Sequence, residues 1–265
     1  METDFGGKII KRGETDLGVV SLVQKRLTKR GYGPFAATVF DDTMAAVVKL
    51  YQSQNVDAIG RPLVIDGEIG IYTWGSLFPE SLPQAHTAPS ALMLEAVKVA
   101  ISQDGVREHP LGENRGPEVD EYLRSVGIDP NKGDANDRFW CMAFVYWCFQ
   151  SAATSLNVLN PLPPTAGCLK HWNGAGKIRG AGRIKRDQAY ADAALIKPGQ
   201  IFILDVGGGL GHTGIVEKNH GGGIFSTIEG NTKTNNETNG IGVFRNIRRK
   251  LTEKSLVGFV DYTNA

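Results

Sequence analysis

Between Leu17 and Phe78 apolar positions recur at helical spacing and are broken by turns. Leu17, Val20, Val23 and Leu27 line one face of a helix that Gly31 and Gly33 end. Met44, Val47, Val48 and Tyr51 line a second helix, which Asp41 or Asp42 can cap. The two-glycine turn from Val64 to Gly70 then leads into a short last helix around Thr73 to Phe78. The pattern predicts a compact three-helix unit over residues 1–80.

From Pro79 to Ser90 the composition shifts to Pro, Ser, His, Thr and Gln, which predicts an exposed linker over 81–90 and a second domain over 91–265. Ser90 opens a helix whose Leu94, Val97 and Ile101 form an apolar stripe, closing at Gly105. A further short helix runs from Glu118 to Val126. The run Arg138 to Phe149 is apolar, lacks Gly and Pro, and follows the polar turn residues Asn131 to Asp137, so a buried helix should begin near Cys141. Beyond Pro161 the helical periodicity fades. Short strands are expected at Gln200 to Val206, His212 to Lys218, Ile224 to Gly230, Ile241 to Ile247 and Leu256 to Tyr262. Helices first and strands later indicate an α+β fold with an antiparallel sheet.

With 265 residues the chain can bury two cores. A net charge of +1 speaks against a nucleic-acid partner, which usually demands a concentrated basic surplus. No apolar run approaches the ~20 residues of a membrane span. The opening METDFGGKII is acidic and glycine-rich where a Sec leader is basic and then apolar, so the chain is expected to be made in the cytoplasm without one. Three cysteines without framework spacing argue for reduced thiols rather than a disulfide scaffold. A monomer is expected.

A thiol in the first turn of a helix lies at the positive end of the dipole, which favours the nucleophilic thiolate, and Phe144, Val145 and Cys148 place Cys141 on the inward face. Cys148 and Cys168 read as ordinary buried thiols. His212 opens one expected strand and Glu229 closes the next. If Asn219 to Gly222 form the loop between them, His212 falls opposite Glu229, with Cβ atoms ~5 Å apart. A carboxylate there can accept the second imidazole N–H, fixing the tautomer and stabilising the imidazolium. Asn231 lies two residues further on, either sharing the orienting role, bonding substrate, or simply turning the chain after Gly230. The backbone N–H of Cys141 is the natural oxyanion donor.

These residues carry two resemblances. VQKRLTKRGYG, FDDTMAAVVKLYQSQNV and IDGEIGIYTWGSL, over roughly the first 80 positions, resemble the peptidoglycan-binding domain of cell-wall hydrolases, with FAATVFDD departing from the usual acidic-glycine turn. From Ala91 onward, DGVREHPLGENRGPEVDEYLRSVG, FWCMAFVYWCF, IKPGQIFIL, GHTGIVE and TIEGN resemble the CHAP family, cysteine, histidine-dependent amidohydrolases and peptidases of papain-like fold. That resemblance implies a nucleophile at Cys141, a general base at His212, a third member at Glu229 and an assisting residue at Asn231. It implies a peptidoglycan substrate cut at an amide of its peptide part. It requires no cofactor, while leaving room for a structural calcium ion just before the nucleophile. A phage endolysin or an exported antibacterial toxin fits, the latter with an immunity protein capping the Cys141 cleft. The alternatives are a wall-binding module without activity and a cysteine protease acting on proteins.

Several features carry less. Cys168 and His171 are half a zinc motif without a second half, expected in a surface loop. Asp129, Asn131 and Asp134 have no bidentate Glu where an EF-hand needs one, because Trp140 stands there. Gly207, Gly208, Gly209 and Gly211 lack a phosphate loop's Lys and are expected to form a flexible lip beside His212. The basic stretches Lys177 to Arg186 and Arg245 to Lys250 read as solvated faces.

Overall fold

The computed structural model describes residues 5–58, 60–79, 87–233 and 240–265. It divides into two compact units. One comprises residues 1–84 with the short segments 190–194 and 220–224, and the other comprises the remainder. Of the expected linker, residues 81–86 lie outside the described residues.

In the first unit, α1 (Leu17–Lys29) starts at Asp16, whose carboxylate accepts the N–H groups of Gly18 and Val19. Helix α2 (Asp42–Gln54) is capped by Asp41, which accepts the Met44 N–H, so the first of the two candidate aspartates does the capping. Helix α3 (Ile71–Leu77) closes the segment. Val20, Val23, Leu27, Met44, Val48, Tyr51, Trp74 and Leu77 form its core. The two-glycine turn is held from below: Gln52 donates to Asp66 Oδ1 at 2.8 Å and accepts the Gly67 N–H at 2.9 Å.

The second unit opens with α4 (Ala91–Ser102), where Ser90 accepts the Met93 N–H as expected of a cap. Its buried face is Leu92, Met93, Ala96, Val97 and Ala100, while Leu94 is exposed. The expected stripe through Leu94 is thus rotated, because small alanines, invisible to a count of large apolar residues, let α4 approach its neighbour. Helices α5 (Pro117–Ser125) and α6 (Cys141–Leu156) follow. Two helices lie where none was expected, α7 (Cys168–Ala175, 8 residues) and α8 (Arg186–Ala191, 6 residues). At such lengths a 3.6-residue period barely repeats.

Strands β1 (Gly182–Lys185), β2 (Ile201–Gly207), β3 (Leu210–Gly221), β4 (Ile224–Thr232), β5 (Gly242–Lys250) and β6 (Leu256–Asp261) form one sheet in the order β1-β6-β2-β3-β4-β5, with antiparallel pairings between β1 and β6, β6 and β2, and β2 and β3. The unit is α+β. Its core joins the helices (Tyr122, Phe144, Phe149) to Ile201, Ile203, Ile215, Ile228, Val243 and Val260 from the sheet. Each such side chain contributes roughly 1.5–3 kcal/mol on burial. Two loop expectations are corrected. The β3–β4 connection is Gly222–Gly223 rather than Asn219 to Gly222, because β3 runs on through Gly221. The glycines after β2 form a tight turn at Gly208–Gly209 rather than a lip. Among the described residues no helix is long and apolar enough to cross a membrane.

Candidate active site

Cys141 is the first residue of α6, 4 % exposed, at the positive end of a 16-residue helix. The turn into that helix is clamped. Trp140 Nε1–H donates to Glu108 Oε1 at 2.8 Å, and Glu108 Oε2 accepts the backbone N–H groups of Gly112 at 2.9 Å and Asn114 at 3.2 Å. Strand β4 comes close on the sheet side, since a Cβ at Gly230 would stand 2.7 Å from both Phe144 Cβ and Trp140 Cζ3. Only glycine allows that approach.

His212 on β3 bonds Glu229 on β4, Nε2 to Oε2, at 2.7 Å. Cys141 is near enough to raise the titration of His212, as Glu229 does. The predicted nucleophile, base and carboxylate are therefore brought together, although the hairpin loop is shorter than the one from which their pairing was counted. Gly214 makes room for them: a Cβ there would lie 2.5 Å from Ile228 O and 2.8 Å from Glu229 Cγ. Gly214→Ala is expected to cost about 1–3 kcal/mol through overpacking and to displace Glu229. A urea denaturation midpoint equal to that of the parent would refute this.

Glu229 is fully buried and fully engaged. Thr227 Oγ1–H donates to Oε1 at 2.5 Å and Thr232 Oγ1–H to Oε2 at 3.3 Å. Arg249 on β5 supplies a two-pronged bond, Nε to Oε1 at 2.8 Å and Nη2 to Oε2 at 2.6 Å, with its guanidinium over the Phe202 ring. Sequence reasoning missed Arg249, placing it in a solvated basic stretch. One signal was present, in that Arg249 shares strand parity with Val243 and Ile247, but only the placement of β5 beside β4 shows what it faces.

Four charges thus alternate in sign: thiolate, imidazolium, carboxylate, guanidinium. Burial disfavours a charged imidazole, yet the bonds to Cys141 and Glu229 outweigh it and raise His212 to about 9. The Cys141 thiol is held well below the ordinary thiol range, first by a hydrogen bond from Cys168 and then by His212 and the Met142 N–H, against the cost of burial. Burial would raise the Glu229 carboxyl, but His212 and Arg249 prevail and lower it. Both shifts favour the thiolate–imidazolium pair over the neutral one.

Asn231, next to last in β4, takes a left-handed conformation, φ 51°, which asparagine tolerates. With its amide oxygen turned toward the helix, Asn231 can accept the Trp140 N–H at 3.2 Å while its nitrogen donates to Gly240 O at 3.3 Å. In that orientation Asn231 is directed to the start of α6. Cys168 and His171 are buried on α7, not in a surface loop. Burial lowers His171 to about 4, and Tyr262 Oη lies 3.3 Å from its Nε2.

The loop before the nucleophile uses its carboxylates locally. Asp129 accepts the Asn131 N–H and pairs with Lys132, and Asp134 and Asp137 cap a 3-10 turn reciprocally. Among the described residues no group of three or more His, Cys, Asp or Glu is arranged to hold a metal ion.

Residues 133–231 match the CHAP domain family. That span holds Cys141, Cys168, His212, Glu229 and Asn231 and ends before Arg249. CHAP domains are typically cysteine-dependent hydrolases acting on peptidoglycan. No curated protein and no solved structure matches the chain.

Proposed function

We propose that the chain hydrolyses an amide bond in the peptide part of peptidoglycan, with Cys141 as nucleophile, His212 as acid and base, and Glu229 as orienter. The observation that carries the reading is the bonded series His212–Glu229–Arg249 with Cys141 close enough to shift the titration of His212. A thiolate already paired with an imidazolium needs no further activation. Cys141 Sγ attacks the amide carbon, and the oxygen's developing charge is met by the Cys141 backbone N–H at the helix start. The tetrahedral intermediate collapses as the His212 imidazolium passes its proton to the departing amine. Neutral His212 then takes a proton from water, which attacks the thioester carbon, and the thiolate leaves. Glu229 holds the imidazole tautomer throughout, and Asn231 holds the helix that carries the sulfur.

Residues 1–80 are proposed to bind the wall, concentrating the hydrolase on an insoluble substrate. A monomer that meets the wall after delivery by lysis or export fits this reading. Digestion of purified sacculi, with soluble products read by mass spectrometry, tests it. Free stem peptides identify an amidase, and cut peptides still joined to sugar identify an endopeptidase. Intact sacculi after prolonged incubation would overturn the reading.

The pH profile follows from the ion pair. The imidazolium is present below about 9 and the thiolate above its lowered pKa. The rate of fragment release is expected to be level through neutrality and to fall as pH rises through about 9. Glu229→Gln removes a carboxylate that raises His212, so its alkaline limb should move to lower pH. An alkaline limb unmoved by that substitution would separate Glu229 from the imidazole.

A further inference from the structure

Two of the cysteines meet inside the site. Cys141 Sγ and Cys168 Sγ lie 3.5 Å apart, although 27 positions separate them in the chain. Each is the first residue of its helix, each is 4 % exposed, and both are free thiols. The sulfurs need to close by only about 1.5 Å to reach bonding distance. Cys148, by contrast, sits two turns along α6 from Cys141, ~10 Å away along the axis.

The two thiols differ chemically. Cys141 is the thiolate, the form that oxidants attack. The Cys168 thiol is held well above the ordinary range by its hydrogen bond with Cys141 and by burial. Amide hydrolysis makes and breaks no bond at Cys168.

We propose that Cys141 and Cys168 form an oxidation site, in which a hydroperoxide converts the pair to a reversible disulfide that switches the nucleophile off and protects it from irreversible oxidation. The Cys141 sulfur attacks one peroxide oxygen. An S–O bond forms, the O–O bond breaks, and the leaving oxygen takes the proton of the His212 imidazolium to depart as water or alcohol. Cys141 is then a sulfenic acid, oxidised by two electrons, while the peroxide is reduced by two. The Cys168 sulfur attacks the Cys141 sulfur, the S–S bond forms, the S–O bond breaks, and hydroxide leaves as water with the Cys168 proton. Without a partner in contact, a sulfenic acid proceeds under excess oxidant to sulfinic acid, which thiols do not reverse. The inference goes beyond the hydrolase reading and rests on it only for the reactive thiolate.

The test is to expose the full chain to hydrogen peroxide, alkylate the remaining thiols and map the peptides by mass spectrometry. The wild type is expected to lose two thiols and to give one cross-linked species joining the peptides of Cys141 and Cys168, with Cys148 still alkylated. Fragment release from sacculi should be lost and then restored by a dithiol reductant. In Cys168→Ala and Cys168→Ser, each checked for folding by circular dichroism, Cys141 should reach the sulfinic acid, and reductant should restore nothing. The proposal is overturned if wild-type Cys141 becomes sulfinic while Cys168 is still alkylated. It also falls if the Cys168 variants recover as fully as the wild type. The sulfur map is read whether or not sacculi are cut, so a failure of the hydrolase reading gives a different result from a failure of this one.

Discussion

On the proposed mechanism, Cys141→Ala is expected to lower the rate of fragment release from sacculi by at least about a thousandfold, because it removes the atom that would form the thioester and leaves only binding and the oxyanion donor. The substitution removes a sulfur from the start of α6 while the Trp140–Glu108 clamp and the Asn231–Trp140 bond remain. Folding should therefore survive, which a near-unchanged melting temperature would show. Binding to sacculi should persist, so pelleting with the wall separates loss of chemistry from loss of contact. Release at the parental rate would move the nucleophile elsewhere and end the present reading of the site.

Arg249→Leu is expected to have the largest effect on stability, about 3–5 kcal/mol, because it strands a fully buried carboxylate. Glu229 would keep the Thr227, Thr232 and His212 bonds but lose both prongs of the guanidinium. The sign with pH is fixed by the direction of the shift. The folded-state pKa of Glu229 is depressed, so its contribution is present above the ordinary carboxylate range and is lost as pH falls through the folded value. In the variant Glu229 protonates more readily, so the deficit against the parent should be largest at neutral pH and narrow on acidification. Urea denaturation at several pH values measures this. Adding Glu229→Gln to Arg249→Leu should recover part of the loss, since the amide carries no charge to strand. A single variant as stable as the parent at neutral pH would mean the guanidinium does not hold that carboxylate. In activity the variant should act as a loss of positioning, with the rate lowered.

How much of the site can be read in the chain follows from how local each part is. The helix start at Cys141 is visible because an apolar run after polar turn residues needs no tertiary partner to be recognised, and α6 begins at that residue. His212 and Glu229 stand on consecutive strands, separated by 17 positions and a tight turn, so a strand count brings them near each other. The length of that turn was misjudged, because Asn219 and His220 look like loop residues and yet are paired within β3.

Sequence alone determined the order of helices and strands, the α+β class, and the cysteine, histidine and glutamate that meet in the site, since periodicity, caps and short-range pairing act over a few residues to a few tens. Tertiary structure alone decided that Arg249 faces a carboxylate rather than water, that Asn231 addresses the helix start, and that Cys168 touches Cys141. Each depends on which strand lies beside which, or on where a helix too short to announce itself packs. Those choices are set by burial of the whole core, and the identity of a neighbour 20 or 27 positions away leaves no local periodic trace in the residues between.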